Sequence, residues 1–571
     1  MEKTKLQWDD FFSLNKEVHT FFFTPEDFSG DEELIAKTTE QFVKQEIAPQ
    51  IESIEQHNYE ISRSLFKKAG ELGLLSIEVP EEYGGFELGK VVSGLVAEKM
   101  GYAGAFSVSF NIHAGVGTLP YIYYGTVEQK EKYLSKIASG EWIGAYALTE
   151  PNAGSDALSA KTSAVLNEDG TEWTLNGEKQ WITNAHMADV YVVFAKTNEG
   201  MTAFIVERTC EGVSLGVEEK KMGIKGSSTA TLILEDVVIP AKNVLGEVGK
   251  GHHVALNILN FARLKLAFGN IGTAKQAIGL SVQYGKERKQ FQTELVDFTM
   301  IQEKIANMTI ATYGAESAAY RTAGIIDKAV DENDDNIMRK MSQFAIECAL
   351  NKVNASETLG YIVDEAVQIH GGYGYMQEYE VERLYRDARI SRIFEGTNEI
   401  NRLTVAKMLM KQLKEMDHEV QGERFENLER NHRYILLSKQ LLKQSLKTLS
   451  QTPDIKLEQE QEQEYSRVIA DMLKDVYVME SAFLRTKKAV SKNREEKERV
   501  KQLITDVLCE EGYRKVESAA TILLSAAITE EETRNSILDE IRQQSVPLYT
   551  NLFLKKREIA KAIINRGKYV V

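Results

Sequence analysis

The chain has 571 residues, 43% of them hydrophobic, and a formal net charge of −16 at pH 7. That length accommodates about three to four domains at ~150 residues each, and the acidic balance excludes a nucleic-acid binder, because phosphate recognition needs a dominating Lys/Arg surface. Cys210, Cys348 and Cys509 lie far apart and form no CxxC or Cys/His cluster, a usage that suits a reducing cytoplasm and offers no metal site.

The first residues, MEKTKLQWDDFF, lack the charged-then-apolar pattern of a signal peptide, and no segment runs 18 apolar residues. A soluble, cytoplasmic protein is expected. After an arm over 1–30, the segment 31–142 reads helical in DEELIAKTTEQFVKQEI, ISRSLFKKAGELGLLSI and VVSGLVAEKMG, with the turn EVPEEYGGF between the last two. Over 143–250 the texture changes. WTLNGEKQWIT alternates around Asn176-Gly177, a strong short hairpin signal, and VYVVFAK, MTAFIVER and TATLILEDVVI are β-branched runs of strand length. A middle β domain, barrel or sandwich, is predicted.

Six of the eight prolines fall between Pro25 and Pro240, and none occurs from Ala241 to Thr452. A stretch so free of the strongest helix breaker predicts a helical bundle over 251–414. Beyond Lys414 only Gly422, Gly512 and Gly567 remain among the glycines, and amphipathic patterns predict a further helical domain over 415–571. LEQEQEQEYS, after Pro453, reads as a helix start or linker. The fold class is therefore α+β multidomain and mostly α.

No GxGxxG follows a strand, and GxxxxGK[ST], HExxH and GxSxG are absent, which disfavours ordinary hydrolase and metal chemistry. GEVGKGHH (246–253) reads as a surface turn, and the SxxK of Ser64–Lys67 as a chance match in an amphipathic helix. Four stretches carry more. YALTEPNAGSD (146–156) is either a plain connector or a turn whose backbone N–H groups suit an anionic or carbonyl-bearing ligand. QWITN (180–184) ends a strand with a tryptophan, ordinarily sheet core, and QIHGGYGY (368–375) has the look of a helix C-cap.

The fourth is SRIFEGTNEINR (391–402). Gly396 ends one helix and Thr397 or Asn398 can cap the next, which puts the Glu395 carboxylate at a helix–helix corner beside Ile393 and Phe394. Burial there should raise its pKa, while the helix N-terminus should lower it.

In this order and spacing these stretches, with KKMGIKGSSTA and ERKQF, resemble the acyl-CoA dehydrogenase family from about residue 30 to 412, and the extra C-terminal helices resemble its very-long-chain branch. The resemblance implies FAD bound without a dinucleotide-binding domain. It implies oxidation of a fatty acyl-CoA to the trans-2-enoyl-CoA in β-oxidation, with an electron-transfer flavoprotein as electron partner and at least a homodimer. Carried over by motif, Glu395 is the catalytic base. Tyr146, Leu148, Thr149, Ser155, Trp181, Ile182, Thr183, Thr397 and Glu399 contact FAD, while Arg288, Phe291, Gln368, Ile369, Gly371 and Gly372 grip the FAD of a neighbouring subunit. Ser155, Asn260, Arg263 and Gly396 would meet the substrate. Two positions depart from the pattern: Gln292 follows ERKQF where the family usually has glycine, and Ala262 stands where some branches place their catalytic glutamate.

The chemistry explains the residue types. The α-hydrogen of a thioester is a very weak acid, so a carboxylate must stand over it, donors must stabilise the enolate-like oxygen, and a hydride acceptor must wait at the β-carbon. Long acyl chains are expected from the tail and from Gly115 and Gly117 in NIHAGVGTLP, a region that lines the acyl tunnel in the family. Alternatives are an acyl-CoA oxidase using oxygen and a non-enzymatic assembly role. The basic runs 485–501 and 555–568 either face solvent, pair with the acidic body, or rest peripherally on an anionic membrane.

Overall fold

The computed structural model describes residues 22–330, 342–413, 429–452, 462–544 and 550–571. The first helical layer comprises α1 (Gly30–Phe42), α2 (Tyr59–Glu71), α3 (Lys90–Met100), α4 (Ala105–Ala114) and α5 (Val127–Ala138). Its starts are written locally. Ser29 accepts from the Glu32 N–H while Glu32 Oε2 accepts from the Ser29 N–H at 2.6 Å, a reciprocal cap before α1. Thr126 and Gln129 do the same for α5. The predicted helix through Ile47 is real, but its last turn, Val43–Ile47, widens to π geometry.

The β unit contains β1 (Gly144–Ala147), β2 (Ser163–Leu166), β3 (Glu172–Thr183), β4 (Val190–Thr197), β5 (Gly200–Glu207), β6 (Val213–Leu215), β7 (Thr229–Pro240) and β8 (Val244–Leu245). The order across the sheet is β6-β7-β3-β2-β4-β5-β8, with β1 parallel to β4. β4 is central and buried on both faces, as its unbroken VYVVFA run requires.

The Asn176-Gly177 hairpin is not there. Both residues lie inside the single long strand β3, where its register against β7 shifts between Leu175 and Gly177. Gly177 has φ +153°, and a Cβ on it would fall 2.7 Å from Thr162 Cα. The glycine thus permits a close backbone crossing at a bulge, not a chain reversal. Asn176 exchanges hydrogen bonds with the Asp236 main chain and carboxylate instead of turning the strand.

The bundle follows as α6 (Gly251–Glu287), α7 (Thr299–Val330), α8 (Ala345–His370), α9 (Glu380–Ala388) and α10 (Asn398–Leu413). α11 (Arg430–Gln451), α12 (Gln463–Lys492), α13 (Arg499–Ala527), α14 (Glu531–Gln544) and α15 (Leu552–Arg566) pack onto it. Half of the Gln/Glu-rich stretch LEQEQEQEYS lies outside the described residues, and the rest leads into α12 at Gln463.

These later helices share one core with the bundle: Val405 and Leu409 of α10 and Ile346 of α8 pack with Tyr434, Leu473 and Tyr513. Arg485, 2% exposed, pairs with Glu316 of α7 at 2.6 Å and with Glu26 at 2.8 Å. Lys488 and Lys492 take Asp27, Lys501 takes Glu26, and Lys555 takes Asp506. Much of both basic runs is therefore spent inside the molecule. No helix among the described residues is long and apolar enough to cross a membrane, and no cluster of His, Cys, Asp and Glu among them could hold a metal ion.

Candidate active site

The chain from α9 through a short turn at Arg389–Arg392 leads to Glu395, and α10 restarts at Asn398. Glu395 and Gly396 both have positive φ, +57° and +78°. Glycine tolerates that region, but a glutamate there is strained, so the surroundings must hold it. They do so through the carbonyls. Arg263 Nε of α6 donates to Glu395 O at 3.1 Å, Lys352 Nζ of α8 to Gly396 O at 2.8 Å, and Asn401 Nδ2 of α10 to Gly396 O at 2.8 Å and Thr397 O at 3.0 Å. Thr397 Oγ1 accepts from the Ile400 N–H and caps α10.

Glu395 keeps part of its surface on a cleft and is otherwise enclosed. Desolvation pushes its carboxyl up to about 7, against the opposing pull of Arg263 and Lys352. Lys352, without exposed surface, is pushed down to about 7 by the same desolvation, which the Glu395 carboxylate resists. Each charge favours the other.

An open cleft lies between the end of α3, α4, α6 and α9. Glu395, Phe394 and Ala262 line it, as do Gly101, Gly104, Gly269 and Thr273. Ala262 and Thr273 are both on α6, which makes the cleft about 16 Å long at 1.5 Å per residue. Gly101 marks its Thr273 end, since a Cβ there would sit 2.8 Å from Thr273 N. Gly115 and Gly117 are not in this lining. A Cβ on Gly117 would come 3.0 Å from the Gly144 carbonyl, so that glycine serves the contact between the helical layer and β1.

The YALTEPNAGSD turn leaves β1 beside β3. Lys179 Nζ reaches Glu150 Oε1 at 2.7 Å and Leu148 O at 3.2 Å, and the Gln180 N–H donates to Thr149 O at 2.9 Å. This brings Leu148 and Thr149 against the end of β3, where the register shifts again before Ile182. Trp181 does not take the sheet-core place ordinary for a strand tryptophan: it is 57% exposed with φ +59°, and Asn184 follows at +65°. Ile182 packs its side chain into the β core, leaving only its main chain for any ligand, and Thr183 is half-buried. Tyr146 feels Glu395 electrostatically, and its buried hydroxyl has no partner among the described residues. Ser155 and Glu399 are exposed.

Asn260 and Arg263 are both buried, and each is engaged: Arg263 Nη1 donates to Asn260 Oδ1 at 2.9 Å. The other predicted residues lie elsewhere. Arg288 follows the C-terminus of α6, roughly 37 Å along that helix from Arg263 at 1.5 Å per residue. It stands over the Tyr373 ring at 5.6 Å, beside the Gly371–Tyr375 turn that ends α8. Gln368, Gly371 and Gly372 are exposed there, Ile369 is core, and Phe291 is 90% exposed with φ +51°.

Lys352 and the cleft residue Asp387 escape a motif reading. For Lys352 a signal existed: Cys348, Ala349, Ala355 and Ser356 surround it at i±3 and i±4, so a lysine interrupts a small, buried helical stripe.

Family models fall along the chain in order: acyl-CoA dehydrogenase N-terminal domain over 29–141, middle domain over 145–237, and C-terminal domain over 249–410. A further acyl-CoA dehydrogenase C-terminal domain model matches 450–543. A probable acyl-CoA dehydrogenase of Bacillus subtilis (strain 168) is 47% identical over 98% of both chains. The mitochondrial very long-chain specific acyl-CoA dehydrogenase of Rattus norvegicus is 41% identical over 64% of this chain and 57% of its own. The crystal structure of an acyl-CoA dehydrogenase complexed with FAD from Bacillus anthracis matches with TM-score 0.92 at 47% identity, covering 96% of this chain and 97% of that one. Fold, element order and near full-length identity agree, and the chain belongs to the acyl-CoA dehydrogenase family.

Proposed function

We propose that the protein oxidises fatty acyl-CoA thioesters, preferentially long ones, to the trans-2-enoyl-CoA, with Glu395 as the base that takes the α-proton. The observation that carries this reading is the Glu395 carboxylate, held at a strained corner on an elongated, largely apolar cleft with its pKa raised into the working range of a base; Asp387, the other carboxylate of the lining, is engaged by the Ile224 N–H. Ala262 offers only a methyl on the same cleft, so it supplies no rival carboxylate at the other position some family members use.

The residues fit FAD. An exposed indole on a left-handed residue is a poor surface choice and a good wall for a planar ring, and the orphaned Tyr146 hydroxyl between β1 and Glu395 awaits a polar partner. Thr149, Trp181, Thr183 and Thr397 would hold it there. FAD, when bound, supplies the acceptor for the hydride that leaves the β-carbon. The chain's own work is to hold the thioester so that the Glu395 carboxylate meets the α-hydrogen. Among the described residues no acceptor stands against the Glu395 N–H, which leaves it for the thioester oxygen as negative charge grows.

Arg288, Phe291 and the Gly371–Tyr375 turn are too distant to serve the same cleft. The apolar surface around them, with Phe291, Tyr375 and Met376 exposed, suits a second copy of this chain, whose cofactor they would grip. An electron-transfer flavoprotein is the proposed electron acceptor. The length of the cleft and its glycine lining support the long-chain preference.

The experiment is an anaerobic titration of the yellow holoenzyme with acyl-CoAs of graded length, following loss of flavin absorbance. Bleaching by long acyl-CoAs, absent in Glu395→Gln, is expected; normal bleaching by that variant would overturn the reading.

A further inference from the structure

Lys352 is a costly residue that the proposed reaction does not itself explain. It sits inside α8 with 0% exposure, and it donates to neutral oxygens: Gly396 O at 2.8 Å and Asn398 Oδ1 at 2.8 Å. Asn398 is itself fixed by Ser356, at 3.1 Å from its Nδ2, and by Glu357 at 3.2 Å. Burying an ammonium without a bonded counter-ion is expensive. If the turn needed only tying down, a neutral donor would serve, and Asn401 already bonds the same Gly396 carbonyl at 2.8 Å. A cation at this place therefore needs a further reason, and of the carboxylates whose charge it feels, Glu395 acts most strongly.

We propose that Lys352 is a positioning residue for the acyl-CoA oxidation: through its hydrogen bond to the Gly396 carbonyl it holds Glu395 in its left-handed conformation, and while protonated it favours the ionised carboxylate. The inference rests on Glu395 being the base. Gly396 O lies one peptide beyond the base, so a shift of the lysine moves the carboxylate, and loss of about 1 Å in such an alignment can cost a hundredfold in rate.

The charged groups that bear on Lys352 come from three helices: Arg263 from α6, Glu357 from α8 itself, and Glu399 from α10, together with Glu395. Arg263 opposes the lysine's charge, and the three carboxylates favour it. Because Arg263 also lowers the Glu395 pKa, loss of Lys352 alone removes one of two cationic supports. The effect on the base is then a shift in its titration, not its abolition.

The test uses the FAD-loaded enzyme and two neutral variants, Lys352→Gln and Lys352→Met, with kcat and KM measured against pH for one long acyl-CoA. Lys352→Gln is expected to lower kcat about tenfold, and Lys352→Met about a hundredfold, with KM within about threefold of the parent. In both, the acid limb of kcat should move to higher pH by about half a unit or more. A lysine with a merely structural role would lower the thermal midpoint and leave the acid limb in place, and that result overturns the proposal, as does a parental kcat in both.

Should neither neutral variant fold, Lys352→Arg carries the test. It keeps the charge, but the bulkier, planar guanidinium does not fit the buried place of the ammonium between its two acceptors, so kcat should fall about tenfold with the acid limb unmoved. A parental kcat in that variant overturns the proposal. Glu395→Gln separates the two readings: if it is inert while the lysine variants are parental, only the Lys352 assignment fails.

Discussion

Glu395 is strained in its backbone and desolvated at its carboxylate, and each has a measurable consequence. A glutamate at φ +57° stores on the order of 1–3 kcal/mol. Glu395→Gln keeps the shape and removes the base, so the rate of flavin reduction by acyl-CoA should fall about 10³-fold or more, with substrate binding retained. In the parent, kcat should rise as pH increases through about 7, where Glu395 loses its proton; a profile flat from pH 5 to 9 would remove it from this role.

The same shift sets a stability change of definite sign. The folded pKa, about 7, lies above the ordinary 4.5, so the folded state holds the proton more tightly between these values and loses stability as pH rises across that window. Glu395→Gln does not titrate and should be more stable than the parent by about 1–3 kcal/mol near pH 8, a figure discounted for the carboxylate's open side on the cleft. The gain should disappear below about pH 4.5, which denaturant unfolding at the two pH values would show.

Among the elements, helices were legible because their signals are local. Ser29 and Glu32, or Thr126 and Gln129, carry a complete cap within four residues. β3 was misread because Asn-Gly carries the same sequence signal at a tight turn and at a bulge, and what separates them is the approach of Thr162, from an adjoining strand segment. Gly177→Val should therefore cost about 2 kcal/mol or more by thermal or denaturant unfolding, far beyond a solvent-facing strand substitution. Trp181 shows the same limitation: only the second register shift in β3 turns it out of the core. In the cleft, an added Cβ on Gly269 meets nothing closer than 3.5 Å, so Gly269→Val should shift substrate preference toward shorter acyl-CoAs, read as a fall in kcat/KM for long chains with that for short chains retained.

At the scale of the whole molecule, the C-terminal helices are not an appendage. They complete the core that α8 and α10 present, and they close a buried charge network around Glu316 in which Lys275 and Arg485 both take part. Arg485→Ala leaves Glu26 and Glu316 each short of a partner. It should destabilise the protein by about 3–5 kcal/mol, seen as a lower thermal midpoint of the full chain. Deleting 415–571 would strip apolar surface from the helices that hold Lys352 and the α10 side of the Glu395 turn, so loss of activity in such a truncation would report on folding as much as on any separate task of the tail.

Sequence alone determined the helical, β, helical order, the absence of the common hydrolase and metal motifs, and Glu395 at a helix break, because caps, periodicity and glycine breaks act over a few residues. Tertiary structure decided what the break is for. Arg263, Lys352 and Asn401 are separated from Glu395 by up to 132 positions or by a full helical turn, and only packing of α6, α8 and α10 brings their donors to its carbonyls. The basic tail was equally undecided: a lysine's sequence neighbours do not say whether it faces water or a buried carboxylate, and here Glu26, Asp27 and Glu316 made that choice.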